Sequence, residues 1–237
     1  MNPSKGLAAA IRAALEHDPE IALGAQPALD VDLRDGTVVL RGEVLDVGVK
    51  RKIVQRVAAM RGVGSILDRL RVVVTETRGD GAVAETLYGR FVSEPVFSGY
   101  QVQLLRERDA DAESEARSIT IAVTHGVVRL AGEAGSLSHR RFADVLAWWT
   151  PGVADVDNRL LVDPPEDDTD GEINDALRLV FDKDPSLDAT QLRAETHAGI
   201  VKLEGLVHSK EQKKHAELNA WCILGVHGVD NRITVRA

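Results

Sequence analysis

One nine-residue pattern occurs three times in this chain. Gly36-Thr37-Val38-Val39-Leu40-Arg41-Gly42-Glu43-Val44 returns as Gly126-Val127-Val128-Arg129-Leu130-Ala131-Gly132-Glu133-Ala134, and again as Gly199-Ile200-Val201-Lys202-Leu203-Glu204-Gly205-Leu206-Val207. A third glycine stands 20 residues beyond the second glycine of each copy, at Gly62, Gly152 and Gly225. Repetition at this length means one small supersecondary unit used three times, not one large catalytic domain. Units of about 70 residues lie near the lower limit for independent stability, so contacts between repeats are expected to help.

Within the pattern, residues alternate. Val38, Leu40, Gly42 and Val44 share one face, as do Val128, Leu130, Gly132, Ala134 and Val201, Leu203, Gly205, Val207. That period predicts a half-buried strand. The glycine in front supplies the positive φ of a tight hairpin turn after Asp35, His125 and Ala198. The preceding strands are Val31-Asp32-Leu33, 119–123 and 191–194.

A helix follows each hairpin, with Asp46, Ser136 or Ser138, and Ser209 as N-caps. Ile53, Val57 and Met60 make its apolar stripe, matched by Ala143, Ala147, Thr150 and by Ala216, Ala220, Ile223. The third glycine ends the helix, and a closing strand carries Val63, Ile66, Leu70 and Val72 or their equivalents. An earlier helix opens each repeat, with stripes at Leu7, Ile11, Ala14, Leu15, at Val83, Leu87, Phe91, and at Ile173, Leu177, Val180, Phe181.

The expected class is therefore α+β: three tandem αββαβ modules, each a small three-stranded mixed sheet with two helices packed on one face. The expected boundaries are 1–76, 77–165 and 166–237, with an insertion near 98–116 in the second repeat. The acidic, proline-containing stretch Asp163–Asp170 reads as a linker.

The repeats resemble the BON domain, a bacterial module often found in pairs in osmotic-stress and envelope proteins. The likeness rests on G-x-V-x-L-x-G at 36–42, 126–132 and 199–205. It rests also on the G-V-x-x-V-x-N-x-L ending, clearest at Gly152-Val153-Ala154-Asp155-Val156-Asp157-Asn158-Arg159-Leu160. It implies a non-enzymatic protein that attaches to phospholipid surfaces or envelope components under stress. The alternatives are a protein-interaction scaffold or chaperone-like adaptor, and a potassium-binding sensor.

Charge narrows the partners. The net charge is −8. Residues 1–76 carry 11 Lys/Arg against 10 Asp/Glu (+1), residues 77–165 carry 9 against 13 (−4), and residues 166–237 carry 9 against 14 (−5). A general nucleic-acid role is excluded, because neutralising phosphates needs clustered cations. Any anionic partner is expected to meet the first repeat. No apolar run reaches the length of a membrane span. The lone Cys222 excludes an internal disulfide framework, and the N-terminal residues lack the pattern of a signal peptide. A cytoplasmic location is expected, with the periplasm as the alternative.

Lys50, Arg51, Lys52, Arg56 and Arg61 crowd the second helix of repeat 1, and are the candidate contacts to an anionic lipid or acidic protein. The plain alternative is a solvated helix face. Trp148, Trp149 and Trp221 are candidate partner contacts, or packing within or between repeats. Arg69, Arg159 and Arg232 occupy one aligned position and read as a structural ion pair or cap. His208, Glu211 and His215 share a helix face, but the H-E-x-x-H or paired C-x-x-C of a zinc site is missing, so they read as an exposed polar face. No metal, cofactor or catalytic residue is expected.

Overall fold

A computed structural model describes residues 3–21, 29–34, 36–105 and 117–236. They form two compact units, residues 1–73 and 74–237.

The first unit is one repeat. Helix α1 (Pro3–Glu16) leads to strands β1 (Leu29–Arg34) and β2 (Thr37–Val44), then helix α2 (Val47–Ala58) and strand β3 (Ser65–Val72). β1 and β2 are antiparallel, whereas β2 and β3, joined through α2, are parallel. The alternation in β2 turns Val38, Leu40 and Val44 toward the helices. There they pack with Ile11 and Leu15 of α1, Ile53 and Val57 of α2, and Leu70 of β3 in one core. Burying each such side chain stabilises the fold by about 1.5–3 kcal/mol.

The second unit holds two repeats. The first of these runs α3 (Asp80–Ser93), β4 (Gln101–Leu104), β5 (Ser118–Thr124), β6 (Val127–Ala134), α4 (Leu137–Trp148) and β7 (Asp155–Val162). The next runs α5 (Asp170–Lys183), β8 (Leu192–His197), β9 (Ile200–Val207), α6 (Lys210–Cys222), β10 (Gly228–Asn231) and β11 (Thr234–Val235). The antiparallel hairpin and parallel crossover are repeated in both. The N-caps are Asp46, Ser136 and Ser209, whose side chains accept from Val49, His139 and Gln212 N–H.

Two details differ from the expected three-stranded sheet. Residues 101–104, inside the insertion of the second repeat, add a fourth strand parallel to β5. Backbone hydrogen bonds from Gln101 N to Arg117 O and from Leu105 N to Ile121 O close its two ends, both 2.9 Å. The charged part of that insertion, 106–116, lies outside the described residues, as does Asp35 of the first hairpin. In the third repeat the closing strand is broken at Arg232 and Ile233, so β10 and β11 pair with β9 separately.

The second glycine of the pattern has a steric reason. Gly132 has φ +121°, and a Cβ there would stand 2.0 Å from the Ser118 carbonyl oxygen on the neighbouring strand. Gly205 has φ +136° and meets the Gln191 carbonyl at the same distance. Only glycine allows the two strands to approach this closely.

Helices of the second and third repeats face one another across α4, α5 and α6. Arg141 through Ala147 are consequently buried without a break, which a helix lying on a sheet alone would not show. No described helix is long and apolar enough to cross a membrane.

Candidate functional site

Helix α2 does not present the basic surface expected of it. Lys50 is buried: its ammonium donates to the Leu70 carbonyl at 2.7 Å and pairs with Asp68 at 2.8 Å. Lys50 lies three and seven residues before Ile53 and Val57, on the stripe that faces the sheet. Arg56 pairs with the buried Asp18 at 2.6 Å. Arg51 and Lys52 are half-buried and already have interaction partners. Arg61 is exposed but lies beyond the end of α2, in the turn before β3. Lys50 is thereby withdrawn from the surface expected of the five cations, and Arg61 stands apart from the helix that carries the other three.

The Lys50–Asp68 pair has a physical explanation in the other repeats. Asn158 and Asn231 occupy the position of Asp68. The amide of Asn158 donates to Arg140 O at 2.9 Å, and that of Asn231 donates to Lys213 O at 3.0 Å, while their oxygens accept from Leu160 and Ile233 N–H. Arg140 and Lys213 are the equivalents of Lys50. A carboxylate can accept the strand N–H, as Asp68 does from Leu70 at 2.9 Å, but it cannot donate to the helix. The Lys50 side chain supplies the missing donor.

A polar network joins the second repeat to the third. The indole N–H of Trp149 donates to Asn219 Oδ1 at 2.9 Å, and Asn219 Nδ2 donates to Asp184 Oδ2 at 2.5 Å. His215 Nε2 reaches the same Asp184 oxygen at 2.7 Å. Burial would raise the Asp184 pKa, but the hydrogen bonds from His215, Ser186 and Asn219 outweigh it and hold the carboxyl well below its usual range. The Asp184 hydrogen bond raises the His215 pKa, against the opposing effect of burial. Arg141, almost wholly inaccessible, donates to Leu224 O at 2.8 Å and pairs with Asp168 at 2.5 Å. Lys183 closes a further pair with Glu94 at 2.8 Å.

Two of the three tryptophans are engaged within this unit. Trp221 is buried, Trp149 ties the two repeats together and stacks edge-on to Phe142, and Trp148 is half-buried. Asp18, Glu94 and Asp184 close the first helix of their repeats; Glu94 reaches Lys183 across a repeat boundary, and Asp184 holds Asn219, which meets Trp149 across it. In the first repeat, Arg56 stands where Asn219 stands in the third and ties Asp18 within its own module.

Two clamps escaped the sequence reading. Asp80 at the start of α3 accepts the His125 and Gly126 N–H groups at 2.7 and 2.8 Å. Asp170 at the start of α5 accepts those of Ala198 and Gly199 at 2.7 and 2.9 Å. Each fastens the hairpin turn to the first helix, and two backbone donors keep the Asp170 pKa low. The signal was an Asp-Gly pair opening both helices.

On the outer sheet faces, cations are paired along the strand with acids two residues away. Arg34 meets Asp32 at 2.7 Å, Arg159 meets Asp157 at 2.8 Å, and Arg232 meets Asp230 at 2.7 Å. Arg69 aligns with the last two, but Leu67 replaces its aspartate. Arg41 is its direct neighbour on β2. Among the described residues neither Arg41 nor Arg69 closes an ion pair, and no group of three or more His, Cys, Asp or Glu could hold a metal. His215 of the sequence-marked trio is taken by Asp184.

No curated protein matches the chain. Among solved structures, CdsD, a structural protein of the type III secretion system of Chlamydia trachomatis, is similar at 15% identity and a TM-score of 0.26. Its C-terminal domain aligns over 95% of this chain and 96% of that one. A second CdsD structure has the same identity and TM-score, over 96% and 92%. Likeness of that degree carries no argument about fold or function. The BON domain profile matches residues 4–74, 103–164 and 169–237, most of the chain and all three repeats. The chain belongs to the BON domain family.

Proposed function

We propose that the protein is a non-catalytic, stress-related binding protein that attaches to anionic phospholipid surfaces, with its first repeat turned to the lipid. The observation that carries this reading is how the repeats use their charges. The second and third repeats tie ionic groups to each other, through the Arg141–Asp168 and Lys183–Glu94 pairs, and together carry a net −4 − 5 = −9. The first carries +1 and forms a compact unit of its own. An anionic surface attracts the one and repels the others. Membership of the BON family supports lipid as the class of partner. A cytoplasmic setting is part of the same proposal.

Flotation of the full chain with anionic and zwitterionic vesicles, at low and high salt, tests it. Flotation with anionic lipid alone, lost at high salt, is the expected result. Equal flotation with both lipids, or none with either, overturns it.

A second reading, a protein-interaction scaffold, is favoured by one observation. The second repeat covers the outer edge of β5 with β4, while among the described residues the equivalent strand β8 of the third repeat is an edge strand. An extended peptide could pair there. Recovery of one specific partner, lost when a proline is placed in β8, would support this reading over the first.

A further inference from the structure

The structure assigns the lipid contact to the outer face of the first repeat's sheet, built on Arg41 and Arg69. This inference rests on the membrane reading above and names its site.

Arg41 and Arg69 are register partners on the parallel strands β2 and β3. Their Cα atoms are one strand spacing apart, about 4.8 Å, and their side chains leave the sheet on the same side. Two like charges so placed repel each other. Elsewhere on the outer faces the protein avoids this cost. In the aligned rows of the second and third repeats, Arg159 stands beside Ala131 and Arg232 beside Glu204, and each arginine has its own aspartate. In the first repeat both protections are missing: Arg41 replaces the alanine or glutamate, and Leu67 replaces the aspartate. The acid registered opposite Arg41 is Asp30, which is taken by Arg12 from α1 at 3.3 Å.

Asp32 of β1 also lies within electrostatic reach of Arg41, yet neither guanidinium closes an ion pair among the described residues, and two adjacent guanidinium groups fit a phosphate, which can accept from both at once. A bilayer is the source that fits the surroundings. Leu67 is 41% exposed beside Arg69, and Val73 follows two residues after Arg71 on the same face at 36%. Val39, between Leu67 and Asp32 on this face, is buried, so the exposed part is the β3 side, where arginines beside Leu67 and Val73 match the headgroup layer, with cations meeting phosphates and short apolar chains reaching the acyl boundary. On helix α2, by contrast, Lys50 is buried and Arg56 is held by Asp18.

The test uses the full chain and vesicles of phosphatidylcholine, with and without phosphatidylglycerol. The probe variants are R41Q/R69Q and L67D. The second restores the aspartate that neutralises Arg159 and Arg232, in a geometry the protein already uses twice. R193Q/K202Q, on the outer face of the third repeat, is the control. With about a fivefold contribution from each basic residue near an anionic surface, R41Q/R69Q should lower partitioning roughly thirtyfold. L67D should lower it about fivefold or more on the same scale, and the control should leave it unchanged. Matching thermal unfolding curves confirm that the variants are folded.

Retained flotation of both R41Q/R69Q and L67D overturns the assignment and leaves the membrane reading standing. Failure of the unsubstituted protein to float removes both. Stabilisation by inorganic phosphate at fixed ionic strength, without flotation, would identify a soluble phosphate ligand and overturn the bilayer assignment.

Discussion

Replacing Lys50 by methionine removes the ammonium while keeping a stem that fills nearly the same buried space. Two acceptors lose a donor: Asp68 Oδ2 and the Leu70 carbonyl, which keeps a 3.0 Å bond from Arg71. Hydrogen bonds to charged groups contribute about 1.5–3 kcal/mol each, and breaking a fully buried pair costs about 3–5 kcal/mol. Asp68 stays 30% exposed and keeps its bond from Leu70 N–H, so water offsets part of the loss. We expect Lys50→Met to destabilise the first unit by about 2–3 kcal/mol on these magnitudes. Asp68→Asn alone should cost about 2 kcal/mol, because the ammonium then lacks its counter-charge. The double substitution should cost only about 1 kcal/mol, since the new amide can donate to the carbonyl of residue 50, as Asn158 does to Arg140. The coupling is then about 3 kcal/mol between residues in direct contact. Native-state hydrogen exchange on the full chain reads this from peptides spanning α2 and β3. Trp148, Trp149 and Trp221 all lie in the second unit, so their unchanged fluorescence transition is the internal control. Singles that add in the double would refute the claim that Lys50 stands in for an asparagine amide.

Other outcomes follow from the same geometry. Asn219→Ala should destabilise the second unit by about 2–3 kcal/mol, because it removes one donor from the buried Asp184, which keeps His215 and Ser186, and the acceptor of the Trp149 indole N–H, measured as a shift of the tryptophan unfolding transition in urea. The pH dependence of that transition has two limbs. His215 has a raised pKa, so its contribution is complete below the unfolded value of about 6.5 and is lost as pH rises through the folded value. Asp184 has a lowered pKa, so its contribution is present above about 3.9 and is lost as pH falls. Stability should therefore peak between these limits, and His215→Gln should flatten the alkaline limb only. Gly132→Ala should cost about 3 kcal/mol or more in thermal unfolding, through positive φ and collision with the Ser118 carbonyl, against well under 1 kcal/mol for Gly89→Ala, where the added methyl meets nothing.

The strands, hairpins and caps were legible because each has a short-range cause. A glycine is needed where β6 meets Ser118, a cap where α2 begins, and alternation where one sheet face is buried. Strand β4 was missed because only Val102 and Leu104 alternate in it, too short a run to separate from loop. The direction of Lys50 could have been read from its place on the Ile53–Val57 stripe. Its charge type points outward, although the Leu70 carbonyl to which its ammonium donates lies 20 residues away along the chain. The docking of the second and third repeats was not legible beyond the expectation that tryptophans pack. Its bonds join Trp149 to Asn219 and Arg141 to Leu224, across 70 and 83 residues, and no local period encodes them. An arginine position shared by all three repeats predicts a structural role. That describes Arg159 and Arg232; the exception at Arg69 needed the strand register to place Arg41 beside it.

The most direct measurement places an environment-sensitive fluorophore on each outer sheet face in turn, through Leu67→Cys, Leu161→Cys or Ile200→Cys. All three native side chains are exposed, and the native Cys222 is buried away from the label. On adding anionic vesicles, the label at 67 should shift to the blue and brighten, while those at 161 and 200 stay as in water. A shift at 161 or 200, or flotation with no change at 67, would contradict the claim that the first repeat's sheet meets the lipid.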